Sequence, residues 1–261
     1  MNSSGFTLDP ERLPRHVAMI MDGNGRWAQK RSLNRIRGHT EGTESVREIV
    51  RTSRQIGIEI VTLYAFSTEN WKRPAQEVSA LMKLLKRFLK SELSEMMENE
   101  IRLNAIGAIE RFPEDVREVL RQVMEATRGN RKMTLNLALS YGGRDEIVRA
   151  ARQLATQVGS DQLSPEDITE AVFSNHLYTR QMPDPDVLIR TSGEMRISNF
   201  LLWQIAYSEI FVTETLWPDF RRDEYLQILS EYQKRERRFG MTSSQTQKRS
   251  PDRQARSSTT P

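Results

Sequence analysis

Cysteine is absent from the 261 residues, which excludes disulfides, thiolate nucleophiles and cysteine-ligated zinc. Imidazole is scarce: only His16, His39 and His176 carry it. No apolar run reaches the roughly 20 residues a membrane-crossing helix needs, and the opening residues lack the charged-then-apolar order of a leader. A soluble, cytoplasmic protein is expected, with at most peripheral contact at a membrane surface. Neither sign of charge dominates, since 39 Lys and Arg against 35 Asp and Glu leave a formal +4. The excess sits between Arg221 and Arg256, and no basic stretch is interleaved with aromatics, so small anions fit better than nucleic acid, which is not expected as a partner. The motifs GxxxxGK[ST], HExxH and GxSxG are missing too, which removes P-loop, zincin and nucleophile-elbow chemistry.

What the chain does carry is an alternation of short apolar runs with longer helical patterns. Strands are predicted over His16–Met21, Ile58–Phe66, Arg102–Ile106, Met133–Leu139 and Asp186–Ile189; their nearly continuous apolar character is that of strands buried on both faces of a parallel sheet. Helices are predicted over Thr40–Ile56, Pro74–Asn99, Pro113–Arg128, Arg144–Val158, Pro165–Phe173 and Asp223–Arg238, with Ser164 as the cap before Pro165. The alternation implies an α/β fold, one domain with a central, mostly parallel β-sheet surrounded by helices. Residues 1–13 and the basic tail 241–261 have little to bury and are expected to be disordered, leaving 14–240 as the folded unit.

The densest chemistry lies in His16-Val17-Ala18-Met19-Ile20-Met21-Asp22-Gly23-Asn24-Gly25-Arg26-Trp27-Ala28. An apolar strand delivers Asp22 into a glycine-rich turn that opens a helix. Glycines let backbone N–H groups converge on an anion, a helix start adds partial positive charge, and Arg26 adds a cation with fork geometry. A carboxylate beside a bound phosphate is repulsive unless a divalent cation such as Mg²⁺ lies between them, so the cluster points to a Mg²⁺-assisted diphosphate site. An ordinary surface turn has the same residues. A dinucleotide fingerprint is disfavoured, because Arg26 and Trp27 put bulk where a pyrophosphate must approach, and the acids about 20 residues on, Glu41 and Glu44, fall inside a helical pattern.

Two more clusters follow predicted strands. Ser67-Thr68-Glu69-Asn70-Trp71-Lys72-Arg73 offers an amide, an aromatic face and an anion clamp, or simply a cap for the next helix. After Asp186–Ile189 come Arg190, Arg196 and Ser198, suited to a second phosphate group or to pairing with Glu194. In a parallel sheet the carboxyl ends of the strands share one rim, so all three clusters are expected together there. The Pro74–Asn99 pattern has a broad Leu- and Met-rich face that suits core packing or the lining of a greasy cavity. No DDxxD pair is present, which disfavours the all-α enzymes that ionise allylic diphosphates.

These residues resemble the cis-prenyltransferases, in particular bacterial undecaprenyl diphosphate synthases. The resemblance runs from about Pro14 to Gly240, through HVAMIMDGNGRWA, RGHTEG, VTLYAFSTENWKRP, LNLALSYGGRDEI, the Asp186–Glu194 segment and Trp217-Pro218-Asp219-Phe220. It implies repeated condensation of isopentenyl diphosphate onto an allylic primer, usually farnesyl diphosphate, with cis double bonds, in a homodimer whose sheet carries a hydrophobic tunnel for the growing chain. By position, Asp22 would hold Mg²⁺ and assist departure of the allylic diphosphate, surrounded by Gly23, Asn24, Gly25, Arg26, Arg35 and His39, with Trp27 near the prenyl chain. Ser67, Thr68, Glu69, Trp71 and Arg73 would shape the substrate region; Arg190, Arg196, Ile197 and Ser198 would hold isopentenyl diphosphate; Glu209 would contribute to metal binding. Asn70 is the family's candidate for taking the substrate proton, although an amide is a poor base and better suited to positioning. Arg235-Glu236-Arg237-Arg238-Phe239-Gly240 matches an arm that reaches a partner subunit. Met195 stands where some members have histidine near the metal. A non-catalytic, prenyl-diphosphate-binding partner subunit is the alternative, against which the intact Asp22, Asn70 and Arg196 argue. Such a lipid product is expected to leave toward a membrane surface.

Overall fold

Apolar runs bounded by turns condense into six strands: β1 (His16–Ile20), β2 (Ile60–Ser67), β3 (Ile101–Ile106), β4 (Met133–Tyr141), β5 (Val187–Arg190) and β6 (Glu209–Val212). They form one sheet in the order β3-β4-β2-β1-β5-β6, and every neighbouring pair is parallel. The computed structural model describes residues 8–235. Helices α1 (Asn24–Lys30), α2 (Arg35–Ile56), α3 (Ala75–Glu98), α4 (Glu114–Ala126), α5 (Gly143–Gly159), α6 (Glu170–Ser174) and α7 (Arg222–Lys234) surround it.

Alternation along the strands divides the core. Val17, Met19, Val61, Leu63, Leu135, Leu137, Val187 and Ile189 join the larger cluster, with Ile49 of α2, Leu89 of α3, Val116 of α4 and Tyr225 of α7. Ala18, Ile20, Ala138 and Leu188 face the other way, against Phe200, Leu201 and Ile205 from the segment after β5. Both faces are covered, which is why the strands read as unbroken apolar runs.

The topology also locates the site. From β1 the chain passes to β2 on one side of it, while β5, its neighbour on the other side, leads on to β6. Connections leaving the carboxyl ends of β1 and β5 therefore part, and such a divergence leaves a crevice for a ligand.

Several sequence expectations need correction. The strand β6 was not anticipated, because Glu209-Ile210-Phe211-Val212 is short, half exposed and carries an acid. Helix α2 starts at Arg35 rather than Thr40, capped by the Asn34 side chain, which accepts from the Arg37 amide at 3.0 Å. The helix expected over Pro165–Phe173 is a 3-10 turn at Pro165–Asp167 followed by α6, and the Ser164 hydroxyl engages Glu166 instead of capping. Residues 8–13 are ordered: a 3-10 turn at Pro10–Arg12 is tied to α7 by Gln233, whose amide donates to the Asp9 carbonyl at 2.7 Å. Residues 1–7 and 236–261, with the expected basic tail and most of the expected arm, lie outside the described residues.

A buried polar row crosses the sheet on the face of Ala18. His16 Nε2 lies 2.7 Å from the Thr62 hydroxyl, Asn136 donates to that hydroxyl at 3.1 Å, and Asn104 donates to Asn136 at 2.8 Å. The other His16 nitrogen is 2.7 Å from the Pro183 carbonyl, so it carries the proton and Nε2 accepts. Burial lowers the His16 pKa to about 4, more than the Pro183 hydrogen bond and the nearby Asp186 charge raise it. An unfolded histidine titrates near 6.5, so the unfolded chain binds the extra proton first. Stability from this residue is complete above about pH 6.5 and drains away as pH falls toward 4. We expect it to account for about 2 kcal/mol of lost stability between pH 7 and 5. Urea titrations at both pH values should show a smaller pH-dependent loss in His16→Gln by that amount; equal slopes would refute the assignment.

Candidate active site

The site begins with Asp22, two residues beyond β1. Its amide donates to the Thr191 hydroxyl at 3.0 Å, that hydroxyl donates back to the Asp22 carbonyl at 2.6 Å, and the Trp217 amide donates to the same carbonyl at 3.0 Å. The carboxylate accepts from the Gly23 amide at 2.7 Å through Oδ1 and from Arg190 Nη2 at 2.9 Å through Oδ2, with Arg26 at 3.4 Å. Burial pushes this carboxyl upward, but the Arg190 hydrogen bond and charge, the Gly23 amide and Arg26 outweigh it and hold Asp22 below the usual carboxylate range. It is a permanent anion at neutral pH, at the mouth where β1 and β5 part.

Gly23 makes the turn possible. Its φ is 108°, and an added Cβ would stand 2.9 Å from Leu216 Cδ2. Helix α2 presses on the start of α1 through Gly38, where a Cβ would fall 2.0 Å from the Asn24 carbonyl oxygen. That contact explains the first glycine of RGHTEG and brings Arg35 and His39 over the turn.

Around the turn lies a polar recess of about 130 Å³ bordered by Asp22, Gly25, Arg26, Arg35, His39 and Arg73. Three guanidinium groups converge on it, and the first amides of α1 have no intrahelical acceptor. Burial first, then the Arg73 and Arg35 charges, lower the His39 pKa to about 4 against the pull of Glu77, so the imidazole is neutral. Glu77 of α3, which sequence reasoning missed, accepts from Arg73 at 2.9 Å and lies 3.8 Å from Arg35. The signal was available, because Glu77 stands four residues after Arg73 at helical spacing.

Arg190 ends β5 with its side chain only 4 % exposed. Its Nη1 donates to the Ser198 hydroxyl at 2.7 Å and to the Arg196 carbonyl. Arg196 itself is exposed and paired with Glu194, which also meets Arg26 at 3.2 Å. Ser192, Ser198, Asn199 and Leu201 all have positive φ, so this loop holds its polar groups in a costly backbone conformation. Asn199 fastens it, donating to Glu69 at 3.1 Å and accepting from the Arg144 amide at 2.9 Å.

A cavity of about 310 Å³ continues from Asp22 and Arg190 past Asn70 to Val46, Leu85 and Phe88, between α2, α3 and the sheet. The Asn70 Oδ1 accepts the Ser67 amide at 3.1 Å in a capping box at the 3-10 turn Thr68–Lys72, which leaves its NH₂ for the cavity. Capping and lining thus coincide in one residue.

Not every predicted residue arrives here. Trp27 borders neither space; its indole donates to Asp219 at 2.7 Å beneath Arg31. Trp71 packs on Phe66 and Phe112 and donates to Ser140 at 2.9 Å. Thr68 and Glu69 hold Asp145 and Asn199, and Ile197 packs against the smaller core cluster. Met195 is 89 % exposed. Glu209 stands farthest from Asp22: it pairs in register with Val187 and hence with Val17, at the amino ends of the strands, where it binds Arg235. Asp22 lies five residues further along, roughly 16 Å at strand rise. The two do not share an ion within one chain.

Mg²⁺ accepts one or two carboxylates when substrate phosphates complete its octahedron. Asp22, partly exposed with lone pairs remaining on both oxygens, fits that role; among the described residues no cluster of three metal-ligating side chains exists, so no all-protein cage does.

Comparison with known proteins agrees with this geometry. The family described as "Putative undecaprenyl diphosphate synthase" matches residues 20–240. An isoprenyl transferase of Chlorobaculum tepidum is 57% identical over 233 residues, covering 89% of this chain and 88% of the relative. One from Geobacter sulfurreducens is 53% identical, covering 93% and 99%. The crystal structure of lavandulyl diphosphate synthase from Lavandula x intermedia in complex with dimethylallyl diphosphate superposes with a TM-score of 0.86 at 39% identity, over 88% of this chain and 99% of that one. A probable undecaprenyl diphosphate synthase from Campylobacter jejuni gives 0.72 at 36%, over 87% and 98%. With a crevice at the strand ends lined by guanidinium groups and an apolar cavity leading from it, the chain belongs to the undecaprenyl diphosphate synthase family and is a prenyltransferase.

Proposed function

We propose that the protein elongates an allylic diphosphate, farnesyl diphosphate above all, with isopentenyl diphosphate in a Mg²⁺-dependent reaction, giving a long-chain cis-polyprenyl diphosphate for lipid-carrier synthesis. The observation that carries this reading is the continuity of the cationic recess at Asp22 with the apolar cavity under α3. A diphosphate head and a prenyl tail need those two environments side by side.

In each cycle a carbon–carbon bond forms between the isopentenyl double bond and C1 of the primer, the C1–O bond breaks, and a proton leaves the isopentenyl unit. Arg26, Arg35, Arg73 and the first amides of α1 receive the departing diphosphate, while Arg190, Arg196 and Ser198 orient the second diphosphate. Mg²⁺, bound by Asp22 and phosphate oxygens, would supply charge neutralisation for the leaving group. Asn70, with its oxygen taken by the Ser67 amide, donates from its NH₂ and so positions a diphosphate oxygen that accepts the proton. His39 is neutral and serves as a hydrogen-bonding wall of the recess. The role of a non-catalytic partner subunit is disfavoured, because the full cationic set is in place.

A homodimer through β6 completes the proposal. This edge strand leaves Ile210 and Val212 exposed, with Tyr207 beside them at 74 %, and an uncovered apolar edge invites a second copy. No described helix is long and apolar enough to cross a membrane, and the product would be delivered to a membrane surface from a protein outside the bilayer.

Mass analysis of products from purified protein with Mg²⁺, farnesyl diphosphate and isopentenyl diphosphate tests the proposal. A ladder of polyprenyl diphosphates is expected; dimeric protein that makes none with any primer overturns it. Leu85→Trp should shorten the products, because the indole occupies cavity space. Unchanged product length with lowered stability would instead make this face plain core packing.

A further inference from the structure

Below the anion site the cavity ends between α2 and α3, and the closure there is ionic as well as apolar. Val46 is the last residue of α2 that borders it, and Phe88 the last of α3. Arg47 follows Val46 directly, and one turn beyond Phe88 stands Glu92, a carboxylate only 7 % exposed. Arg47 donates to Glu92 Oε1 from Nε at 2.9 Å, with Nη2 2.8 Å from the same oxygen, and the Ser91 hydroxyl donates to it at 2.7 Å. Glu44 takes the remaining Nη1. The pattern continues away from the cavity: Arg51 Nη2 donates to Glu95 at 2.6 Å, and Arg54 Nε donates to the Asn99 carbonyl at 2.7 Å. Arg47, Arg51 and Arg54 form a helical stripe on α2 that meets Glu92, Glu95 and Asn99 in a stripe on α3.

Apolar contacts between two helices set a soft limit on a prenyl chain. As the chain grows, its methyl groups can replace helix-to-helix contacts at little cost, since apolar surface is exchanged for apolar surface. An ion pair offers no such exchange. Parting α2 from α3 at this level leaves Glu92 buried without its cation, and the prenyl chain has nothing to give it.

We propose that the Arg47–Glu92 pair, extended by Arg51–Glu95, is the device that sets maximum product length, by holding α2 to α3 beneath the cavity. The inference rests on the reading of the chain as an elongating enzyme. Arg47 and Glu92 are specificity-determining residues that act through helix separation, and they touch neither diphosphate.

The test uses the full chain with farnesyl diphosphate, isopentenyl diphosphate and Mg²⁺, with product lengths read by mass spectrometry. Glu92→Gln, and Glu92→Gln combined with Arg47→Gln, should move the longest major product up by one or more five-carbon units. KM for both substrates should stay within about twofold, because the diphosphate sites are untouched. As an arm that does not depend on tolerance of a buried change, Arg51→Cys/Glu95→Cys places two thiols on the exposed part of the stripe in a chain that has no others. Unlinked, this protein should make longer products; joined by a short bis-thiol reagent, the same protein should return to the wild-type limit. An unchanged length distribution in folded variants, or a fall in yield without lengthening, would overturn the inference and leave the zipper as a stabilising contact. Wild-type protein that makes no elongated product at all would overturn the functional reading instead.

Discussion

Asp22→Ala is expected to lower turnover by about 10²–10⁴-fold at saturating substrates, the range seen when charge stabilisation of a leaving group is removed. The loss has two sources in this structure. The proposed cation loses its protein anchor, and Arg190, whose side chain is 4 % exposed, loses the carboxylate 2.9 Å away that neutralises it. Asp22→Asn separates the two, because the amide oxygen can still accept from Arg190 while the charge is gone, at the cost of turning its NH₂ toward the Gly23 amide. The Asn variant should retain a melting temperature nearer to wild type and still lose most of its turnover. Steady-state kinetics together with thermal melts would decide; an active Asp22→Ala protein would return the Asp-Gly-Asn-Gly segment to the status of a surface turn.

Arg190→Ala and Arg196→Ala are expected to diverge. Arg196 is exposed and paired with Glu194, so its loss should raise the KM for isopentenyl diphosphate by about 10-fold or more while that for the primer changes little. Arg190 bonds Ser198 on one side and Asp22 on the other. Its removal should raise both KM values and lower kcat, since the half-buried Asp22 carboxylate keeps only the more distant Arg26, at 3.4 Å, of its two cations here and its position relaxes. Equal and selective effects of both variants on isopentenyl diphosphate would show that Arg190 does not couple the two diphosphate sites.

Much of the site was legible because its signals are local. An apolar run stopping at Asp22, a glycine that must take φ 108° and a helix start can all be read from neighbouring residues, and each sits where the spacing implied. The Asn70 reading also held as a cap, since a capping box spans only four residues. Trp27 and Trp71 went the other way. Their sequence neighbours are site residues, but an indole nitrogen needs an acceptor, and Asp219 and Ser140 supply it away from the cavity.

The sequence by itself determined the alternation of strands and helices, the turn after β1, and the sharing of one rim by the three clusters, because periodicity and turn chemistry act over a few residues. Tertiary structure alone decided what each residue meets. Local pattern gave no hint that parallel register puts Glu209 at the amino ends of the strands, away from Asp22 of the same chain. The polar residues of the His16–Thr62–Asn136–Asn104 row stand in four different strands, and only strand order makes them a continuous hydrogen-bonded line. Asp22 meets Arg190 across 168 positions, and Arg47 meets Glu92 across 45. Burial is written in the local pattern of a chain, whereas partnership depends on the order, register and facing of whole elements, which the packing of the entire sheet resolves at once.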